Sequence, residues 1–149
     1  MDHTQLKRAL NRLNEMLHKY ESSDGYEPLI VDALREATVH RFFCSLEVAW
    51  KTCKRHLSEQ GFIEASTGSP KSIMRLAFSN GLIADATPWI RYIDARQNTA
   101  HDYSEERLDA VIEVVGDFFR DAIALYEKIS GEKWSDEVSI KEQFAEIEG

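Results

Sequence analysis

Helix breakers are scarce in this sequence. Three prolines and seven glycines are spread over 149 residues, which excludes collagen-like and low-complexity repeats and leaves room for long helices. Cysteine is almost absent. Cys44 and Cys53 are too few for a disulfide framework or a paired-cysteine metal motif. Nine positions apart in one expected helix, they stand about 13 Å apart along its axis on opposite faces and do not bridge each other. The expectation is two buried thiols in a reducing compartment. No apolar run is long enough to span a bilayer and no charged-then-apolar leader opens the sequence, so the reading is a cytoplasmic chain without a membrane partner. There is no glycine-rich phosphate loop and no His-Glu-x-x-His. The histidines at positions 3, 18, 40, 56 and 101 show no ligand spacing. Neither a metal nor a cofactor is expected.

Positive charge is also in short supply. Eighteen Lys and Arg stand against 26 Asp and Glu, a net of −8, which excludes a general nucleic-acid coat. Any contact with RNA has to be local and built on a few arginines. The imbalance is uneven, because Glu132 to Gly149 holds six acidic and two basic side chains. Residues 132–149 therefore read as an acidic, solvated C-terminal tail behind a domain spanning residues 1–131.

Apolar material is plentiful at 43% of residues, enough for a core, and its spacing is helical nearly throughout. The first helix is expected from Thr4, as N-cap, to Tyr20, with Leu6, Leu10, Leu13 and Leu17 on one stripe. A long helix starts near Pro28, a residue suited to a first turn, and runs to about Gly61 with Ile30, Leu34, Phe42, Leu46, Trp50, Cys53 and Leu57 on its stripe. A short helix opens at Ser69-Pro70 and stops at Gly81, its apolar face formed by Ile73, Met74, Ala77 and Phe78. A fourth opens at Thr87-Pro88 and ends close to Arg96. The last begins after the N-cap Ser104 and stops at Gly131. Its stripe, Leu108 to Ile129, is widened by Val114, Phe118 and Leu125, so it is either a central helix or one that contacts a second copy. The fold class is all-α, an up-and-down bundle of about five helices.

One segment is chemically dense: Arg96-Gln97-Asn98-Thr99-Ala100-His101-Asp102-Tyr103. A guanidinium clamps a phosphate through paired hydrogen bonds, and an imidazole moves a proton near neutral pH. Asn98 is placed to fix the imidazole tautomer, Asp102 is a second supporting group, and Tyr103 offers a hydroxyl that can accept a transferred group. On a continuous helix Arg96 and His101 would stand about 140° apart, so they converge only across a helix end. The bland alternative is a polar junction capping two helices. A second cluster on the long helix, Arg41, Glu47, Lys51, Lys54 and Arg55, reads as a solvated, salt-bridged face. Lys7, Arg8 and Arg12 read the same way. Trp50 and Trp89 read as core or interface residues rather than base-stacking platforms.

Three stretches carry a family resemblance: Leu46-Glu47-Val48-Ala49-Trp50-Lys51-Thr52-Cys53-Lys54; Ser69-Pro70-Lys71 followed by Ala77 to Ile83; and Arg96, His101 and Tyr103 as Arg-x4-His-x-Tyr. In order and spacing the chain resembles the nucleotidyltransferase substrate-binding protein family of the HEPN superfamily. The resemblance implies a homodimer of helical bundles, partnered by a separate minimal nucleotidyltransferase. It also implies, as an alternative, a metal-independent endoribonuclease toxin in which two Arg-x4-His motifs face each other, silenced by AMP transfer to the tyrosine. Arg96 would then hold phosphate, His101 would be the acid/base and Tyr103 the modified residue. Two departures stand out. Gln97 follows the arginine where the family often has Asn, and Phe43 follows Phe42 where the family often has Glu. Loss of a polar group at position 43 is expected to weaken a ribonuclease site more than partner binding.

Overall fold

The computed structural model describes residues 3–99 and 102–135. Within them the chain forms five α-helices, α1 (Thr4–Glu21), α2 (Pro28–Glu59), α3 (Pro70–Ser79), α4 (Ala86–Thr99) and α5 (Glu105–Ser130), with a 3₁₀ turn at Ile63–Thr67 between α2 and α3. The described residues contain no strand.

Local chemistry sets most of the ends. Pro28 starts α2 and Pro70 starts α3, each fitting a first turn whose N–H would be unpaired anyway. The Ser69 hydroxyl accepts from the Ser72 N–H, and the Ser104 hydroxyl from the Arg107 N–H. Gly131 closes α5 at φ 73°, a left-handed turn that glycine adopts without Cβ strain. Three boundaries differ from the sequence reading. Thr4 is the first helical residue, not the cap; His3 holds the cap position and makes no side-chain cap bond. The fourth helix begins at Ala86, where the Asp85 carboxylate accepts the Thr87 N–H at 3.0 Å. It also runs on through Thr99, three residues past Arg96.

Antiparallel α1 and α2 are joined by a ladder of polar contacts. The Arg41 guanidinium donates to the Arg12 carbonyl at 2.9 Å. The Thr38 and Ser45 hydroxyls, bonded to the Leu34 and Arg41 carbonyls of their own helix at 2.7 and 2.8 Å, also lie 3.4 and 3.1 Å from the Met16 and Ala9 carbonyls across the interface. Small residues at positions 38 and 45 let the two helices approach closely. α5 runs through the middle, against α1, α2 and α4. At its centre Phe118 is fully buried, with Phe42, Trp89 and Tyr92 edge-on at ring-centroid distances of 5.0, 5.7 and 5.5 Å, the arrangement favoured by the ring quadrupoles. Phe118 and Leu125 are fully buried, whereas Val114 is only half-buried and lines a groove between α4 and α5, so most of the extra apolar width of α5 is spent inside the protomer. Past Gly131 the chain folds back. Trp134 packs edge-on to Phe119 and Tyr126, and the Tyr126 hydroxyl donates to Glu132 at 3.1 Å. Residues 136–149 lie outside the described residues.

Some apolar residues do not sit as the stripes suggested. Ile30 and Phe78 are 45% and 50% exposed, and Trp50 is only half-buried. The two thiols also differ. Cys53 is buried, and burial pushes its thiol up to about 12, whereas Cys44 is exposed. The expectation of two buried thiols therefore fails at Cys44, which lies toward the α1/α2 groove instead of the core. Thiolate is the reactive form, so a disulfide reagent at pH 8 is expected to modify one thiol of the folded chain rapidly, and the second only after denaturant is added. Equal rates for both thiols in the folded chain would contradict this burial.

Candidate functional site

The connection between α4 and α5 is held by its own polar residues. Thr99, buried in the last turn of α4, donates its hydroxyl to the Ala95 carbonyl at 2.7 Å, and its own carbonyl accepts the Asp102 N–H at 3.3 Å. The Asp102 carboxylate accepts the Ser104 N–H at 3.0 Å and the Arg107 Nε–H at 3.3 Å. The backbone bond from Ser104 is the main cause that holds this carboxyl below the ordinary aspartate range, with Ser104 and Arg107 side-chain contacts adding to it. Asp102 and Ser104 thus cap α5 jointly and fix where the loop meets the helix. Arg35 anchors the same helix start from α2. Its side chain, 12% exposed, reaches Asp109 at 2.9 Å and Glu105 at 4.0 Å.

Arg96 stands in the last turn of α4 and is exposed. Its guanidinium carbon lies 4.4 Å from the centroid of the Phe43 ring, within the range of a cation–π contact. Phe43 is buried and tilts against Phe42 at 5.7 Å, and Phe42 in turn meets Phe118. An exposed cation is thereby seated on a rigid aromatic column that reaches the core. Among the described residues no acceptor takes a hydrogen bond or ion pair from Arg96, which leaves its N–H edge open to an anion. The nearby carboxylate is Glu47. Partial burial raises its pKa, but the hydrogen bonds from Lys51 and Trp50 and the charges of Lys51 and Arg96 outweigh that, and the net shift is downward. Glu47 is engaged elsewhere, with Lys51 at 2.9 Å and the Trp50 indole N–H at 3.1 Å.

Position 43, where the sequence reading noted the loss of a polar group, carries a ring that seats the Arg96 guanidinium. The signal was present in the sequence. Phe42 and Phe43 are adjacent, so they point about 100° apart on a helix, and both cannot lie on one stripe. The coupling of Phe43 and Arg96 is expected to contribute about 0.5–2 kcal/mol. A double-mutant cycle with Phe43→Leu and Arg96→Met, read by denaturant unfolding, measures it, and strict additivity would refute the contact.

The other expected site residues are not all brought together. Asn98, two positions from Arg96, points about 200° away around α4. It lines a separate groove of about 260 Å³ between α4 and α5, beside Arg91, Asp94 and Arg107. Tyr103 is 65% exposed, directly before the α5 cap. His101 lies outside the described residues. Among the described residues no group of histidine, cysteine and carboxylate side chains is arranged to hold a metal ion, and no helix is long and apolar enough to cross a membrane.

Against known proteins, the family model described as nucleotidyltransferase substrate binding protein like matches residues 1–131. A Haemophilus influenzae protein named probable ribonuclease HepT is 32% identical over 108 residues, 71% of this chain and 74% of its own length. A solved structure from Haemophilus influenzae, described as revealing the fold of a substrate binding domain of a nucleotidyltransferase, superposes with a TM-score of 0.79 at 26% identity, covering 87% of this chain and 99% of that one. A crystal structure of a Thermus thermophilus protein superposes with a TM-score of 0.65 at 29% identity, covering 85% of this chain and 96% of the other.

Proposed function

Because the chain belongs to the family of nucleotidyltransferase substrate-binding-like proteins, we propose that it is the partner subunit of a separate minimal nucleotidyltransferase and presents Arg96, His101 and Tyr103 as its functional site. The observation that carries this reading is the exposed guanidinium of Arg96, seated on Phe43 and without an acceptor among the described residues. Seven positions later in the chain stands the exposed tyrosine Tyr103. A cation held in place but not neutralised is suited to an incoming phosphate, and an exposed phenol is suited to a group delivered by a second protein.

The alternative reading is an active metal-independent endoribonuclease neutralised by AMP transfer to Tyr103. It is favoured by the relative named probable ribonuclease. In this reading Arg96 stabilises charge on the scissile phosphate and His101 moves the proton of the attacking 2′-hydroxyl. The two readings describe one molecule in two states, free and partnered. The proposed active form is a homodimer in which a second copy supplies the opposing Arg-x4-His motif. Most of the apolar width of α5 is used internally, with Val114 left half-buried, so support for that dimer comes mainly from the family.

The test is co-expression with a short nucleotidyltransferase encoded beside this chain, followed by affinity capture and light scattering. A stable complex containing both proteins is expected, and the chain alone should scatter as a dimer at micromolar concentration. Separate elution of the two proteins would remove the partner reading, and a monomer mass would remove the dimer.

A further inference from the structure

A groove of about 480 Å³ runs between α1 and α2, on the side of α2 away from the Phe43–Arg96 stack. It is lined by Arg8 and Arg12 from α1 and by His40, Arg41, Cys44 and Val48 from α2. Three arginines and no carboxylate line it, in a chain where acids outnumber bases 26 to 18. Five cations elsewhere pair with carboxylates, namely Arg35 with Asp109, Lys51 with Glu47, Lys71 with Asp94, Arg107 with Asp102 and Arg120 with Asp117; what sets the groove apart is three arginines on one lining with no carboxylate among them. Arg8 and Arg12 are exposed and have no ion-pair partner among the described residues. Arg41 is the fixed member. Its bond to the Arg12 carbonyl at 2.9 Å spends one N–H and holds the rest of the fork at the groove wall. His40 is held beside it, its Nε2 3.6 Å from the Cys44 sulfur.

We infer that this groove binds the phosphodiester backbone of single-stranded RNA, outside the Arg96 site. The inference rests on the ribonuclease reading for its biological use, though not for its physical basis. Guanidinium forks match phosphate oxygens two at a time. Arg8 and Arg12 are one helical turn apart, which sets their Cβ atoms about 5–6 Å apart, a spacing comparable to that of neighbouring phosphates along an extended strand. A protein partner would need a large buried apolar centre, and the apolar side chains lining the groove are Ala9, Cys44 and Val48, beside three arginines. In an acidic chain, a local cationic track favours the approach of a strand. The same stretch of α2, from His40 to Val48, carries the groove on one side and the Arg96 seat on the other.

The experiment uses the full chain and a labelled 2′-O-methyl oligouridylate, which cannot be cut by 2′-hydroxyl attack. Binding is followed by fluorescence anisotropy across a salt series for wild type and for Arg8→Gln/Arg12→Gln, with circular dichroism to check that both fold alike. The double variant is expected to bind about tenfold more weakly at low salt, and its log K against log salt slope should be shallower by about 1.4, two single-strand contacts. On an unmodified RNA its KM should rise while kcat holds. Equal affinity and equal slope for the two proteins would overturn the groove and leave the ribonuclease reading standing. Wild type that cuts RNA but does not bind the 2′-O-methyl strand would do the same, whereas failure both to bind and to cut would remove both. ATP or a polyglutamate displacing the strand at concentrations where unlabelled RNA does not would assign the groove to another anion and overturn the proposal.

Discussion

If the chain is the proposed ribonuclease, Arg96→Ala is expected to lower RNA cleavage by about 10²–10³-fold, the usual cost of removing one preorganised charge from a transition state. His101→Ala is expected to cost about 10²–10⁴-fold as the loss of a general acid/base. Both variants should keep the helical signal. Arg96 is exposed at the end of α4 and carries no ion pair among the described residues, so its removal forfeits the contact with Phe43 and the charge interaction with Glu47. Cleavage should proceed in EDTA and leave cyclic phosphate ends, because an internal 2′-hydroxyl needs no metal to attack the adjacent phosphorus. Cleavage that persists in both variants, or that requires magnesium, would refute this mechanism. Phe43→Leu separates positioning from chemistry. It should reduce activity in the wild-type background and have no further effect once Arg96 is alanine, since its role runs through the guanidinium.

How far the sequence reveals this arrangement depends on whether the signal is local. Pro28, the Ser69-Pro70 pair, Ser104 and Gly131 act within one turn of themselves, and the helix ends they mark lie where the sequence places them. The end of α4 does not. Gln97, Asn98 and Thr99 are polar and read as loop, yet Thr99 is buried and bonded back to Ala95, so packing against neighbouring helices carries α4 past Arg96. The seat of Arg96 is less legible still. Phe43 and Arg96 are 53 positions apart, and only the tertiary arrangement of α2 against α4 brings ring and guanidinium to 4.4 Å. Arg8, Arg12 and Arg41 likewise read as solvated charges on two separate helices. Their shared groove exists only because Ser45 and Thr38 let α1 and α2 close on each other.

Co-expression with the partner nucleotidyltransferase is expected to add one or more AMP units to wild type and none to Tyr103→Phe, as read by intact mass. In the proposed transfer the Tyr103 oxygen would attack the α-phosphorus of a nucleoside triphosphate held by the proposed partner. Pyrophosphate leaves, the phenolic proton passes to a base on the partner, and a phosphodiester remains on the ring. Tyr103 is suited to this because it is 65% exposed and sits on a braced loop. Asp102 and Ser104 on either side are tied into the α5 cap, so the ring is presented from a fixed backbone. Each AMP adds a negative charge. The positive start of α5 is an unfavourable place for it, since Glu105 and Glu106 already occupy the first turn. Arg96 is the better partner, being a cation in the last turn of α4 with no ion pair among the described residues. The modified tyrosine should therefore compete with RNA for Arg96, raising KM or abolishing cleavage while leaving thermal unfolding nearly unchanged. An adduct that survives in Tyr103→Phe would move the modification to another residue, and an unmodified wild type would return Tyr103 to a surface residue beside a helix cap. A modified protein that still cuts RNA at the wild-type rate would separate the modification from the silencing.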